Sequence, residues 1–327
     1  MFSCAELEDR FLSWPLKALA PGTQLPGNIY ICVGHKFVRF RNADDLMTSE
    51  DFDRLLINRV GFVFIRMGDY PQFRAWTKSI EAQERKQDLA GAAPEQVPII
   101  EASREVRRTA LDLFQSPSSD EAVQQAVTSS KALVTQFMEK PFALSNFKQL
   151  QKYGRGLSDH SVNVSVLSVF LGLRMGYTSQ PILEHLALGA LFHDIGKVLL
   201  KAGEGEAGSG AALTGGEPLP MEKHPEIGEM SLEKSKQISK EVKLIVHQHH
   251  EFFDGTGYPQ GLKANSIYDL ARLVAIANII DNIITETPGE MKARIAVAIS
   301  KLETDYQGKL DPKKLEKVIR ILKSDLA

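Results

Sequence analysis

Six of the chain's eight histidines fall between His185 and His250, and two of them are adjacent, His249 and His250. Neutral imidazole beside carboxylate is the ligand chemistry of iron, manganese and zinc. A fold that uses these residues must bring positions far apart in sequence to one point. The densest stretch is His247 to Leu262, HQHHEFFDGTGYPQGL, in which Glu251 and Asp254 follow the histidine pair. A second is His193-Asp194-Ile-Gly-Lys197. His224 stands between them, and Asp281 lies beyond them in the apolar run LARLVAIANIIDNII.

The spacing assigns roles. Adjacent residues on a helix point about 100° apart, so His193 and Asp194 address neighbouring ions, with the two oxygens of Asp194 suited to bridge them. Lys197, one turn on, faces the same cavity, and its cation suits a phosphate oxygen. A carboxylate as surrounded by apolar residues as Asp281 is costly unless it meets a cation or a metal. Glu251 is expected to hold a ligand imidazole by its other nitrogen. Asp254-Gly-Thr-Gly-Tyr-Pro259 reads as a tight turn whose glycines permit positive φ. Singly, each histidine is more often structural: His185 reads as a core residue, His247 as facing away, and His35 as a loop residue. The joint pattern HD…H…HH…D is harder to obtain by chance. Gly203 to Gly208 matches GxGxxG literally, but it follows a helix and carries two glutamates, so a dinucleotide-binding reading is rejected.

A chain of 327 residues suggests about two domains. Residues 1–80 read as a small α/β regulatory domain, with strands at Asn28–Val33, Lys36–Arg41 and Gly61–Arg66 and a helix at Ser49–Val60 capped by Ser49. Residues 81–140 read as linker (to about 98) and connecting helices. Residues 141–327 are mainly α, with helices expected at Ser158–Met175, Pro181–Leu200, His224–Lys234, Ser239–Glu251, Ser266–Thr285 and Leu302–Leu326. The glycine-rich stretch 201–222 reads as a mobile loop. The 39 basic and 41 acidic residues give a net charge of −2, which argues against binding bulk nucleic acid. Cys4 and Cys32 make no CxxC signature, and no apolar run reaches the ~18 residues of a membrane span. With acid near its start and no signal peptide in view, the chain is expected to be soluble and cytoplasmic.

The residues from about Leu157 to Asp281 resemble the HD-GYP family of HD metal-dependent phosphohydrolases. The resemblance rests on HDIGK at His193–Lys197, KHPEIG at Lys223–Gly228 and HHEFFDGTGYPQGL at His249–Leu262. It implies an HD-type helical bundle, two or three metal ions, usually iron with manganese as the alternative, and hydrolysis of cyclic di-GMP. One metal would take His160, His193, Asp194 and Asp281. The other would take His224, His249 and His250, with Asp194 bridging. Lys197 and Asp194 would be catalytic, and Lys197, Gly257, Tyr258 and Pro259 would meet substrate. Three-metal members carry a Glu where this chain has Gly156, so two metals are expected. The downstream segment Asp281–Glu290 lacks the arginine that such members offer to substrate.

Two readings of function follow. The first is a cyclic di-GMP phosphodiesterase that attacks the phosphodiester with a hydroxide bridging two metals. The second is an HD-GYP module that binds a nucleotide, or a protein partner such as a diguanylate cyclase, without turnover.

Overall fold

Alternating apolar and polar residues build the sheet of the first unit. Its strands are β1 (Phe11–Pro15), β2 (Ile29–Val33), β3 (Lys36–Arg41) and β4 (Phe62–Arg66), in the antiparallel order β1-β4-β2-β3. The computed structural model describes residues 11–34, 36–58, 60–117, 119–139, 157–201, 220–233 and 235–324. The chain divides into two units, Met1–Ala90 and Gly91–Ala327.

In the first unit, helix α1 (Ser49–Ile57) is capped by Thr48 rather than Ser49: the Thr48 hydroxyl accepts from Asp51 N. Helix α2 spans Tyr70–Asp88 and replaces the linker expected to begin near residue 81. Its Ala, Gln, Glu, Lys and Arg residues have high helix propensity, so polarity without a wide apolar stripe does not make a linker. Leu16, Leu25, Ile29, Met47, Leu56, Val63, Ile65 and Phe73 form this unit's core. His35 lies outside the described residues.

The second unit is helical. Helices α3 (Val97–Gln115) and α4 (Asp120–Glu139) pack on each other, and then against α5 (Leu157–Arg174) and α6 (Gln180–Phe192) respectively. They are part of this unit, since Ile99, Val106, Leu113, Val123, Leu133 and Val134 all need cover. Every residue of α5 from Ser161 to Gly172 is buried, as its near-uniform apolarity requires. Its serines keep side chains small enough for close packing, and Ser165 Oγ donates to Ala187 O at 2.7 Å.

The expected helix Pro181–Leu200 is two helices. It ends at Phe192 and resumes as α7 (Ile195–Lys201), with His193-Asp194 at the break. Helices α8 (His224–Leu232), α9 (Lys240–Gln248), α10 (Asp269–Glu286), α11 (Met291–Thr304) and α12 (Pro312–Ser324) follow. The expected helix Leu302–Leu326 is therefore also split. Gly308, at φ +83°, and Pro312 turn the chain between α11 and α12. The stretch 202–219 and Gly156 lie outside the described residues. None of the described helices is long and apolar enough to cross a membrane.

Candidate metal centre

Each histidine that meets the centre of the second unit stands at or beside a helix terminus. His193 follows α6, His224 opens α8, His249 and His250 follow α9, and His160 lies in the first turn of α5. Two glycines set the spacing. A Cβ on Gly196 would lie 2.0 Å from His224 O and 2.8 Å from Gly228 N. The backbones of α7 and α8 therefore cross almost in contact, which brings His224 to Asp194.

Two groups of side chains share one carboxylate. Asp194, His224, His249 and His250 form one, and His160, His193 and Asp194 form the other. Asp194 Oδ1 is 3.2 Å from His224 Nε2 and 3.8 Å from His249 Nε2. Asp194 Oδ2 is 3.3 Å from His193 Nε2 and 3.8 Å from His160 Nε2. The two oxygens thus face the two groups separately, although helix geometry through His193-Asp194 is broken. Asp281 stands behind the second group, with Oδ2 2.8 Å from His160 Nδ1. Its carboxylate accepts from the His160 ring and so orients it toward Asp194.

The backbone fixes the tautomers. His193, His224 and His249 each donate Nδ1–H to the carbonyl three residues earlier, on Ala190, Met221 and Val246, at 2.6, 2.7 and 2.7 Å. A carbonyl only accepts, so the proton is on Nδ1 and each Nε2 presents a lone pair to the centre. His224 Nε2 and His249 Nε2 are 3.1 Å apart. Two lone pairs at that distance repel unless a cation stands between them. Two bonds of about 2.1 Å to one ion, at angles from octahedral to tetrahedral, would place their nitrogens roughly 3.0–3.4 Å apart. His193 Nε2, His250 Nε2 and Asp194 Oδ1 are buried without a hydrogen-bond partner. The donor set therefore fits divalent metal.

Burial pushes the His193 and His249 imidazoles below their ordinary value, His249 far below, and takes His250 down to about 3. All three imidazoles are neutral at pH 7. Burial alone would raise Asp194, but the Lys197 ammonium beside it holds it well below the carboxylate range. Burial would also lower His160; the Asp281 carboxylate outweighs it and holds the imidazole up.

The remaining residues surround this core. Lys197 Nζ donates to Asp194 Oδ2 at 2.6 Å, and its side chain is 28% exposed, so its cation meets the shared carboxylate while remaining partly open to solvent. The Tyr258 ring stacks on His250 with centroids 4.6 Å apart. Burial, with the charges of Asp194 and Glu222, keeps its phenol protonated. Pro259 is half-buried beside it. Gly257 has no positive φ; it is needed because a Cβ would lie 2.2 Å from Phe252 N and 2.4 Å from His250 O. Gly255, at φ +84°, carries the conformational demand.

Glu251 does not hold an imidazole. Its Oε1 accepts from Gln260 N at 2.7 Å and its Oε2 from Leu262 N at 2.9 Å, while it is 2% exposed. It pins the end of the Tyr258 turn to the end of α9. Gln248, which the sequence did not single out, does the same for the next segment by accepting from Tyr268 N at 2.7 Å. His185 joins neither group, and His247 Nδ1 lies 2.7 Å from Glu229 Oε2, away from the centre.

Fold and site together define a class: a helical domain whose His/Asp centre is organised around one shared carboxylate. The HD domain family matches residues 144–313, just over half of the chain. A cyclic di-GMP phosphodiesterase of Pseudomonas aeruginosa is 29% identical over 68% of this chain and 55% of its own length. A cyclic di-GMP phosphodiesterase response regulator of Xanthomonas campestris is 28% identical over 66% of this chain and 58% of its own. The chain thus spans just over half the length of these curated relatives. An HDG"Y"P protein from Bdellovibrio bacteriovorus superposes with a TM-score of 0.60, covering 96% of this chain and 99% of its own, at 23% identity, a likeness of fold. The chain belongs to the HD domain family, in its HD-GYP branch.

Proposed function

We propose that the chain is a metal-dependent phosphodiesterase that opens a phosphodiester bond of cyclic di-GMP or a closely related cyclic dinucleotide. The observation that carries this reading is Asp194, whose two oxygens face two separate histidine groups. That is the donor arrangement for a metal pair, with iron or manganese as the cation. His160 and His193 would hold one ion and His224, His249 and His250 the other. Asp194 would serve both, and Asp281 would orient His160. Metal held there would supply Lewis acidity and lower the pKa of a water toward neutrality. Lys197 offsets the charge of Asp194 and offers its partly exposed ammonium to a phosphate oxygen. Tyr258, fixed over His250 by Glu251, presents a neutral ring and hydroxyl to the nucleotide. The names of the curated relatives favour cyclic di-GMP as the substrate.

A second reading, binding without turnover, draws on the absence of arginine between Asp281 and Glu290. An anaerobic assay of the metal-loaded protein on cyclic di-GMP separates the two. Hydrolysis that Asp194→Ala reduces by at least about 10³-fold supports the enzyme; a loss of that size is about 4 kcal/mol of barrier. Failure to cleave cyclic di-GMP or any generic phosphodiester overturns it, and tight nucleotide binding in that case establishes the second reading.

A further inference from the structure

The family match begins at residue 144, yet a side chain before it reaches the metal centre's supporting helix. Arg107, on α3, donates from Nη1 to Asp159 Oδ1 at 3.1 Å and from Nη2 to Asn163 Oδ1 at 3.2 Å. The Arg107 side chain is 11% exposed, the Asp159 side chain is 27% exposed and Asn163 is 1% exposed. Asp159 and Asn163 are four residues apart and so stack on one face of α5. His160 lies between them in sequence, about 100° around the helix from Asp159.

We propose that Arg107 is a positioning residue for the metal centre. By spanning two successive turns it fixes the rotation of α5 about its axis, and so holds His160 at its distance from Asp194. The inference rests on the metal-binding reading above. The planar fork of arginine suits this task, because its two donors are held at a fixed separation. The tolerance is small. At a side-chain radius of about 5 Å, a helix rotation of about 10° moves an imidazole by roughly 0.9 Å, whereas metal–ligand bonds accept only about ±0.2 Å. Asp281 steadies the His160 ring but cannot correct a rotation of the helix that carries it.

The test is a metal titration of the full chain, read as stoichiometry and affinity, on wild type, Arg107→Ala, Arg107→Lys and Arg108→Ala. Arg108 is the control: it is exposed and pairs with Glu105 on its own helix. Wild type and Arg108→Ala should bind two metals. Arg107→Ala should keep one at wild-type affinity and bind the other about 10- to 100-fold more weakly, the usual effect of removing a ligand's supporting partner. Arg107→Lys, which keeps the charge without the fork, should fall between them. If Arg107→Ala does not fold, the lysine variant carries the same comparison. Two metals at wild-type affinity in the Arg107 variants would overturn the inference. Equal loss at both sites would also overturn it, because the role would then be general packing. Wild type binding no metal would remove the reading beneath the inference, a failure visible in that arm alone.

Discussion

Gly196 controls how closely two ligand-bearing helices approach. With a Cβ placed 2.0 Å from His224 O, Gly196→Ala must push α8 away from α7. Overpacking of this kind costs about 1–3 kcal/mol. The larger effect should be on metal affinity, since His224 moves with the helix. Thermal melts and metal titration together check this, and a variant that bound both metals normally would show that α8 moves as a rigid support. Glu251→Gln tests a different dependence. It removes the charge behind two backbone hydrogen bonds while keeping the shape. Hydrogen bonds to a charged group contribute about 1.5–3 kcal/mol. The Tyr258 turn should loosen, raising KM for substrate while leaving metal content unchanged; loss of metal instead would assign Glu251 to the ligand set after all. The histidines and Asp194 were legible in sequence because few side chains do their chemistry. The carbonyls of Ala190, Met221 and Val246 were not, because every residue carries one. Glu251 was misread for a related reason: its partners are the amides of Gln260 and Leu262, and no residue type marks them.

At the scale of elements, apolar continuity concealed the breaks. Pro181 to Leu200 has no glycine or proline where α6 ends, and Gly196 comes only after the turn, so the periodicity runs through His193-Asp194 without a stop. The junction is dictated by tertiary contact with α8. The first unit shows the opposite case, in which a local pair sets an edge. Arg41 of β3 forks onto Asp51 in the first turn of α1, and Asp51 is buried. Burial would raise that carboxyl, but the Arg41 and Thr48 hydrogen bonds hold it below 3.8. A carboxyl depressed in the folded state contributes stability above its unfolded pKa and loses it as pH falls through the folded value. The first unit should therefore weaken in acid below about pH 4, and Asp51→Asn should be less stable at pH 7 with a flatter acid limb. Urea unfolding across pH 2–7 checks this (on the ordinary carboxylate range); an unchanged slope would remove Asp51 from the account.

For the whole molecule, the division at Ala90/Gly91 predicts that metal acts on one unit. A ligand that binds only the folded state stabilises by about 2.7 kcal/mol at a hundred times its Kd. Adding metal should raise the melting of the second unit and leave that of the first in place, and calorimetry resolves the two. A common shift of both would mean that the units unfold together. A mainly α second half and a small α/β first half were both legible, because long apolar helices and short alternating strands differ in period. The boundary between them was not, since α2 is a polar helix with one buried side chain, Phe73.

The most direct measurement is metal stoichiometry by anaerobic titration and elemental analysis, comparing wild type with Asp194→Ala. Wild type should hold two ions per chain. Because Asp194 faces both histidine groups, its loss should weaken both sites together. One ion in wild type, or two tight ions retained without Asp194, would contradict a centre built around that carboxylate.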